Sequence, residues 1–370
     1  MMFDHIIGND QVKQYLTRTV ERGMAGNSLL FAGPDGVGKS LFAEAFAKLL
    51  IIQNDPKGTN KRKVESGNHP DIRVYRPEGK IGMHSILSMR NLSEEVYLAP
   101  YEADKKIFIV HEADRMLSYS ANALLKTFEE PSPDTVIILI SSNPSALLPT
   151  VLSRCRPIYF RPIAEEIIAQ YLIAKTGAKA EEANVLAGMA QGSIGQALKL
   201  AENGESSLRQ PLIEILSKGS FSGYKQLAEA AASLADKVEA GKKEIEAEAR
   251  KSLLHGTGED LSSVQKQRIE KEVEGVVTMY GMQEAFVLFD AILAWYRDLQ
   301  LISVGGDPKL LLNRDVPQFL SLAFEMGRVL PLDTVQKFIN DARLALQRST
   351  SLQICLENLF LKLGFLSTQS

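Results

Sequence analysis

The sequence has few cysteines, and neither they nor the histidines form a metal-binding pattern. Cys155 and Cys355 are the two cysteines of a 370-residue chain and lie far apart. This excludes a disulfide framework and is typical of a protein of the reducing cytoplasm. The five histidines show no metal-ligand spacing, so the sequence predicts no catalytic zinc site.

Long apolar runs and a net charge of one sign are also missing. No apolar run approaches the ~20 residues that span a bilayer. The N-terminal stretch "MMFDHIIGNDQV" carries Asp4 and Asp10, unlike a signal peptide. We therefore expect a cytoplasmic protein with no membrane association. The formal net charge is -3, so any contact with DNA would have to be local.

The first part of the chain, residues 1–162, alternates strand-like and helix-like segments. The runs at 27–33, 71–77, 107–110 and 135–142 are typical of strands, and 39–51 has helical periodicity. Buried strands separated by helices predict an α/β domain with a parallel sheet flanked by helices. The polar stretch 53–70 is predicted to be a loop, since it is rich in Gly, Pro and charge.

The rest of the chain is predicted to be helical. Residues 163–207 are expected to form a small helical lid domain, and residues 208–370 an all-α domain. Within the latter, 236–275 is charge-laced and favours a solvated helical hairpin with a turn at 256–260. The segment 351–363 is apolar on most of its circumference, which favours burial in the bundle or between subunits.

The stretch "GPDGVGKS" at 33–40 fits the pattern of a phosphate-binding loop. It follows a predicted strand and opens a predicted helix, which is the context that the motif requires. Its glycines would let backbone N–H groups face phosphate oxygens, and the helix N-terminus adds partial positive charge. Lys39 would reach the β and γ phosphates, and Ser40 would offer its hydroxyl to Mg²⁺. The candidate cofactor-binding residues are Gly33, Gly36, Val37, Gly38, Lys39 and Ser40.

The carboxylate that would hold the metal is missing from the second strand. The run Ile107–Val110 ends on His111, where P-loop hydrolases place an Asp that binds Mg²⁺. Glu112 could orient a water, whereas the reach of Asp114 is in doubt. The simplest interpretation of His111 is a half-buried residue that caps the strand end. ATP and Mg²⁺ remain open as cofactors, and the residues favour a site that does not hydrolyse ATP alone.

The order of these motifs resembles the bacterial clamp-loader subunits of DNA polymerase III, which are members of the AAA+ superfamily. The resemblance covers about the first 200 residues and rests on these stretches: "FDHIIG" (3–8), "GPDGVGKS", "GNHPDI" (67–72), "IFIVHEADRM" (107–116), "ANALLKTFEEPSPDT" (121–135) and "LPTVLSRCRPIYFRPI" (148–163). It implies an AAA+ P-loop domain, a small helical lid and an all-helical collar that mediates oligomerisation. The implied partners are gamma/tau and delta subunits in a hetero-pentameric ring, a sliding clamp, and primed DNA through the assembled complex.

The sequence departs from the family pattern at three points. The first two distinguish the ATPase motor type, gamma/tau, from the delta-prime type, and the third separates neither type but removes a metal site. The motor type is expected to keep the Asp that His111 replaces. The family's sensor-2 Arg, which touches the γ phosphate, is matched here by Gly195. Residues 50–66 contain no cysteine, so the four-cysteine zinc module usual in both types is absent. The resemblance is therefore to the delta-prime type, with no zinc expected.

Two further site residues are implied by the resemblance. In "SRC" (153–155) the family projects its Arg into the ATP site of a neighbouring subunit, which makes Arg154 an arginine finger in trans. From the motif alone, a surface Arg paired with an acid is an equal alternative. In "SSN" (141–143) the family places sensor 1, for which Ser142 is the candidate. A plain strand-to-loop turn is an equal alternative there.

Three hypotheses for function follow. The first is a largely non-hydrolysing delta-prime-like subunit of a DNA-directed DNA polymerase holoenzyme that supplies Arg154 to a motor neighbour. The second is an ATP-hydrolysing motor subunit or another AAA+ ATPase, which the intact Lys39–Ser40 pair supports. The third, a small-molecule kinase, explains neither the "SRC" block nor the long helical C-terminal third.

Overall fold

The computed structural model describes residues 3, 5–23, 27–53, 55, 58–67, 69–130, 132–203, 208–254, 263–327 and 329–366. The chain divides into two compact units. The first comprises Met1–Glu78 and Gly82–Ala201, and the second comprises Gly79–Ile81 and Glu202–Ser370. The predicted lid helices therefore cluster with the α/β part of the chain.

In the described part of the first unit, the chain forms a five-stranded sheet in the order β2-β3-β4-β1-β5. All neighbouring strands are parallel. The strands are β1 Ser28–Ala32, β2 Ile72–Tyr75, β3 Lys106–Val110, β4 Thr135–Ser141 and β5 Arg156–Tyr159. Every residue of β1, β3 and β4 is buried, as continuous apolar runs require in a sheet covered on both faces. The predicted parallel α/β sheet is confirmed.

Helices cover both faces of this sheet. They are α1 Asp10–Glu21, α2 Lys39–Ile52, α3 Thr59–Glu65, α4 Ile86–Glu95, α5 Ser118–Asn122, α6 Leu125–Glu129 and α7 Pro149–Leu152. On one face Phe42 and Phe46 of α2 are fully buried in a cluster with alternate residues of the strands. On the other, Met89 and Leu92 of α4 pack with the intervening strand residues. The period of two along each strand divides the core into these two clusters.

The prediction of a loop over 53–70 is wrong in its middle, because α3 occupies Thr59–Glu65. The carboxylate of Asp55 accepts the backbone N–H groups of Asn60 (2.7 Å) and Lys61 (3.1 Å), which satisfies donors in the first turn. Val64 is the buried residue of this otherwise polar helix. With so little apolar surface, the helix gives no periodic signal in the sequence.

The lid consists of α8 Glu165–Thr176, α9 Ala180–Met189 and α10 Ile194–Asn203. Helix α8 ends at Gly177, whose φ of 72° is left-handed, as predicted from its Gly stop. Ile168, Leu172, Ala183 and Ala187 are fully buried in a separate small core. Residues 204–207 of the predicted lid lie outside the described residues.

The second unit is helical, as predicted. Its helices are α11 Arg209–Lys218, α12 Tyr224–Leu254, α13 Ser263–Ser303, α14 Pro317–Glu325, α15 Leu332–Gln347 and α16 Leu352–Lys362. Trp295, Phe289 and Phe360 are buried at the centre of its core. Helices α12 and α13 form the predicted hairpin, and its predicted turn at 256–260 lies outside the described residues.

Helix α13 contains a longer apolar stretch than the sequence analysis predicted. Its stretch Gln265–Ser303 is long and apolar enough, by length and composition alone, to cross a membrane. The buried side chains of Phe289, Trp295 and Leu299 instead pack in the core of the helical unit. A central helix of a helical bundle passes the same test of composition, so this stretch is weak support for a membrane span.

Candidate functional site

Residues 33–38 form the loop that connects β1 to α2. Gly33, Gly36 and Gly38 have φ values of 155°, 74° and 95°, which favour glycine. A Cβ at Gly33 would lie 2.5 Å from the carbonyl oxygen of Phe160. The side chain of Val37 is buried in the core beneath the loop. The loop therefore has the shape of a phosphate cradle. Its backbone turns at three glycines, in conformations that other residues adopt only with strain.

Lys39 contacts oxygens of the loop itself. Its Nζ donates to the carbonyls of Gly33 and Pro34, each at 2.6 Å, and lies 3.4 Å from the carboxylate of Asp35. The side chain is 6% exposed. A buried ammonium needs oxygen partners, and here the loop carbonyls provide them. A phosphate that entered the loop would exchange places with these carbonyls as the partner of Lys39.

His111 follows β3 and lies against the predicted metal side of the loop. Its Nδ1 is 3.4 Å from Oγ of Ser40, and its Nε2 is buried without a hydrogen-bond partner among the described residues. Burial, with repulsion from Arg76 and His84, lowers the pKa of His111 to about 3, so the ring is neutral. Nε2–H of His84 donates to the backbone carbonyl of His111 (2.7 Å).

These residues do not fit Mg²⁺ held in the usual manner of a P-loop. The ion takes oxygen ligands in near-octahedral geometry, whereas the group beside Ser40 is an imidazole nitrogen. Among the described residues, no group of three or more His, Cys, Asp or Glu side chains could hold a metal ion.

Cys155 and Cys355 are both buried, and burial raises the pKa of Cys155 to about 12, so its thiol stays protonated.

Glu112 lies next to the loop in a left-handed conformation, with φ 48° and ψ 50°. Burial, together with repulsion from the carboxyls of Asp35 and Asp114, raises the pKa of Glu112 to about 7. Asp114 itself accepts a hydrogen bond from Oγ of Ser141 (2.6 Å), which ties it to the end of β4. The negative charges of Asp35 and Asp114 therefore outweigh the positive charges of Arg115 and Lys39 in their effect on the pKa of Glu112.

The raised pKa predicts that Glu112→Gln stabilises the chain more at high pH than at low pH. In the unfolded chain a Glu ionises above pH ~4.5, but in the folded chain Glu112 ionises only above about 7. Below pH ~4.5 the carboxyl is neutral in both states, so it does not change the free energy of unfolding. Between pH ~4.5 and about 7 it ionises in the unfolded chain but not in the folded chain, so the free energy of unfolding falls as the pH rises. Because the side chain is partly exposed, we expect Glu112→Gln to gain about 1–2 kcal/mol at pH 8 and little at pH 5.

Denaturant unfolding of the two proteins at both pH values measures this difference. Groups common to both proteins cancel, so the comparison isolates Glu112. The control is Glu130→Gln, since Glu130 is exposed and should give equal stability changes at pH 5 and pH 8. An equal gain for Glu112→Gln at both pH values would contradict the raised pKa.

The end of β4 places Ser141, rather than Ser142, in the hydrogen-bond network. Oγ of Ser141 donates to Asp114 and accepts the backbone N–H of Asn143 (3.1 Å). Ser142 is the first residue after the strand and remains a prediction as sensor 1. Successive strand residues face opposite sides, so the position of the last strand residue decides which serine faces Asp114. The apolar run that predicts β4 does not define its last residue, so the sequence alone did not distinguish the two serines.

The lid helix α10 begins directly on the loop. The backbone N–H of Gly195 donates to the carbonyl of Gly36 at 3.2 Å. Ser193 accepts the backbone N–H of Gln196 (3.1 Å), as an N-cap does, and its Oγ would lie 1.9 Å from a Cβ at Gly36. Gly36 therefore permits both the turn of the loop and the approach of the lid. This contact was not predicted from the sequence, although Gly195 was a residue of interest there.

Arg154 is partly exposed and contacts groups near its own turn. Its guanidinium donates to Glu129 (2.5 Å), to the carbonyl of Thr150 (3.0 Å) and to Oγ of Ser153 (3.2 Å). The side chains of Arg154 and Glu129 are 34% and 50% exposed. An ion pair with this exposure contributes about 0–1 kcal/mol, so a stronger partner could displace Glu129.

The parallel sheet separates Arg154 from the phosphate cradle of its own chain. Arg156, the first residue of β5, pairs with Leu29 of β1, whereas the cradle begins at Gly33 after the other end of β1. Four strand positions separate Leu29 from Gly33, which is about 13 Å. Arg154 lies still further from the cradle, before β5 begins. The structure thus places the predicted finger and the predicted cradle at opposite ends of the sheet.

The parallel sheet, the glycine-rich loop between β1 and α2, and the helical lid on that loop define a P-loop domain of the AAA+ type. Residues 8–164 match the family described as "DNA polymerase III, delta subunit". Over these residues the chain is similar to clamp-loader subunits of DNA polymerase III, among them delta-prime subunits.

The curated relatives are named after both clamp-loader types. The chain is 32% identical over 200 residues to DNA polymerase III subunit delta-prime of Bacillus subtilis, covering 53% of this chain and 60% of the relative. It is 37% identical over 140 residues to the delta-prime subunit of Pseudomonas aeruginosa, covering 36% and 43%. The tau subunit of Escherichia coli is 29% identical over 216 residues, covering 55% and 33%. The chain thus spans less than two thirds of the length of each of these relatives.

Among solved structures, the chain is similar to a DNA polymerase III gamma subunit-related protein from Thermotoga maritima. The similarity covers 91% of this chain and 98% of that chain, at 17% identity and a TM-score of 0.37. A TM-score this low supports no conclusion about function.

Proposed function

We propose that this chain is a delta-prime-like, largely non-hydrolysing subunit of the DNA polymerase III clamp loader. In this role Arg154 is an arginine finger for the ATP site of a neighbouring subunit. The observation that carries the proposal is the separation of Arg154 from the cradle of its own chain by the length of β1. A partly exposed guanidinium so placed can meet a phosphate only on another molecule.

The residues of the chain's own cradle also support ATP hydrolysis at a neighbouring site rather than at this one. Hydrolysis in P-loop proteins depends on a metal ion and on charges that stabilise the transferring phosphoryl group. Here His111 replaces the metal carboxylate, and Gly195 stands where the resemblance places an Arg for the γ phosphate. The cradle keeps its shape without these groups that ATP hydrolysis requires. In this proposal the chain therefore supplies Arg154 to a neighbouring site and does not hydrolyse ATP itself.

The partners in this proposal are gamma/tau and delta subunits in a five-membered ring in the cytoplasm. The ring would place a sliding clamp on primed DNA, and DNA would be contacted through the assembled complex. The net charge of -3 supports shared and local DNA contacts rather than binding by the isolated chain. The chain would belong to a DNA polymerase holoenzyme without synthesising DNA itself.

The second candidate is an ATP-hydrolysing motor subunit of the gamma/tau type. The observation in its favour is the retained pair Lys39–Ser40, with Glu112 close enough for its pKa to respond to the charge of Lys39. In this alternative the chain's own Lys39 would be essential to the activity of the complex. In the first proposal it would not.

A mixing experiment separates the two candidates. Wild-type chain is titrated into gamma/tau-type and delta-type subunits, and ATP hydrolysis is followed. We expect stimulation of hydrolysis, with Lys39→Ala stimulating as well as the wild-type chain, because the hydrolysing site belongs to a neighbour. Loss of most of the stimulation with Lys39→Ala would reject the proposal and support the motor. Co-elution of each variant with the partners is the control for assembly.

A further inference from the structure

Two short helices of the first unit hold Glu129 and Arg154 next to each other. Glu129 is the last residue of α6, and Arg154 follows two residues after the end of α7. Phe128, Val151 and Cys155, which are neighbours of the charged pair in the chain, are buried in one shared core. Packing therefore fixes the backbone that carries each charge, while both charged side chains stay partly exposed.

Helix α6 is also fixed by a hydrogen bond to α4. The hydroxyl oxygens of Thr127 in α6 and Ser93 in α4 lie 2.9 Å apart, and Thr127 is fully buried. Residues two apart on a helix differ by about 200° around its axis, so Glu129 faces away from this buried side. The sequence has two consecutive glutamates, Glu129 and Glu130, and it is Glu129 that contacts Arg154.

The guanidinium of Arg154 has two kinds of contact. Its Nη1 donates to the carbonyl of Thr150 (3.0 Å) and to Oγ of Ser153 (3.2 Å), which belong to the turn that carries Arg154 itself. Its Nη2 donates to Oε1 of Glu129 (2.5 Å), which comes from another helix. The first kind orients the side chain and adds no charge. The contact with Glu129 places a full negative charge beside the guanidinium.

A phosphate and the carboxylate of Glu129 would compete for this guanidinium. Each is an anion that forms charge-assisted hydrogen bonds with the N–H groups of an arginine. Two anions on one guanidinium would repel each other, most strongly in a site with little water. The carboxylate therefore has to leave before a phosphate can bind in its place. The pair is weak enough for this exchange, because both of its members are partly exposed.

We infer that Glu129 is a positioning residue that holds Arg154 in an unengaged arrangement and sets how readily this finger transfers to a phosphate of a neighbouring subunit. The inference deepens the proposed function and rests on its assignment of Arg154 as a finger. Glu129 does not touch the reacting atoms. It lowers the affinity with which the finger enters the neighbouring site, and it leaves the rate of hydrolysis unchanged once the finger is engaged.

Titration of the Glu129→Gln chain into dilute gamma/tau-type and delta-type subunits tests this role through ATP hydrolysis. We expect half-maximal stimulation at a concentration about 2–5-fold lower than for the wild-type chain, which is the range of a partly exposed ion pair. The maximal rate should be the same for both chains. The difference in concentration should shrink as salt is added, because salt screens exposed charges. A merely structural role of Glu129 would not improve half-saturation.

Two matched variants make this result specific. Glu130→Gln removes the same charge from the adjacent exposed residue and should behave like the wild-type chain. Glu129→Asp keeps the charge on a shorter side chain, so it should restore part of the wild-type value. Co-elution with the partner subunits shows that each variant assembles.

Chemical labelling measures the pair in the isolated full chain, independently of any partner. Phenylglyoxal modifies accessible arginines, and mass spectrometry of peptides follows each arginine separately. Glu129→Gln should speed the labelling of Arg154 by about 2–5-fold, because the competing carboxylate is gone. Arg156 is the internal reference. It is exposed, its guanidinium lies over the ring of Tyr15, and its labelling should not change.

Two outcomes would overturn the inference: unchanged labelling of Arg154 in the Glu129→Gln chain, or half-maximal stimulation at a concentration equal to or higher than that of the wild-type chain. If either is found while Arg154→Ala abolishes stimulation, the inference fails and the proposed function stands. If Arg154→Ala stimulates as well as the wild-type chain, the finger proposal fails, and the role of Glu129 fails with it.

Discussion

Arg154→Ala should slow ATP hydrolysis at the neighbouring subunit's site by about 10³-fold. The guanidinium is permanently charged, and its planar donors match the oxygens of a phosphoryl group in the transition state. In the isolated chain it is held by Glu129 and by the carbonyl of Thr150, contacts that a phosphate can replace. The measurement is single-turnover ATP hydrolysis by the assembled complex, where the kinetic phase from one site should disappear.

Two other substitutions make this result specific. Arg154→Lys keeps the charge without the fork of donors and should retain only a small part of the rate. Arg156→Ala is the matched control, because Arg156 is exposed nearby, with its guanidinium 4.9 Å from the ring centre of Tyr15. It should leave hydrolysis unchanged. If the Arg154→Ala complex hydrolysed ATP and loaded clamps at the wild-type rate, the proposed role of Arg154 would be wrong.

The central strands were predictable because local sequence decides them. Strands β1, β3 and β4 are buried on both faces, so each appears as an uninterrupted apolar run. The edge strand β5 was not predicted. It contains Pro157, and three of its four residues are exposed. A proline lacks the N–H of a ladder hydrogen bond and is tolerated at an edge, where local composition gives a weak strand signal.

The site was predictable where one continuous segment forms it. The glycine-rich loop lies between a strand and a helix, as its motif requires. The contact of Gly195 with Gly36 joins segments far apart in the chain, and neither residue has a side chain that could signal it. Likewise, the hydrogen bond from Ser141 to Asp114 depends on where β4 ends. Such contacts follow from the packing of the lid and strands rather than from local pattern.

The stretch "GNHPDI" shows how a motif used for family resemblance can have a structural role. Asp71 is fully buried just before β2. Its carboxylate accepts the backbone N–H groups of Tyr101 (2.6 Å), Glu102 (2.9 Å) and Ala103 (2.9 Å). One side chain thus fixes the loop that leads into β3. The sequence showed an Asp before a strand but not the distant donors that it satisfies.

Asp71→Ala should destabilise the first unit by about 3–4 kcal/mol, the largest effect on stability that we predict. The substitution would leave three backbone donors without their charged acceptor, and hydrogen bonds to charged groups contribute about 1.5–3 kcal/mol each before partial replacement by water. For a unit of this size the loss corresponds to a fall in Tm of about 10 °C. Differential scanning calorimetry of the full chain measures it.

The controls for this prediction separate the hydrogen bonds from the charge. Asp104→Ala removes an exposed carboxylate from the same loop and should change stability by less than about 0.5 kcal/mol. Asp71→Asn keeps one carbonyl acceptor in place, so it should lose less than Asp71→Ala and more than Asp104→Ala. If Asp71→Ala melted like Asp104→Ala, the loop before β3 would be held by its backbone and packing alone, and the carboxylate would have no part in positioning it.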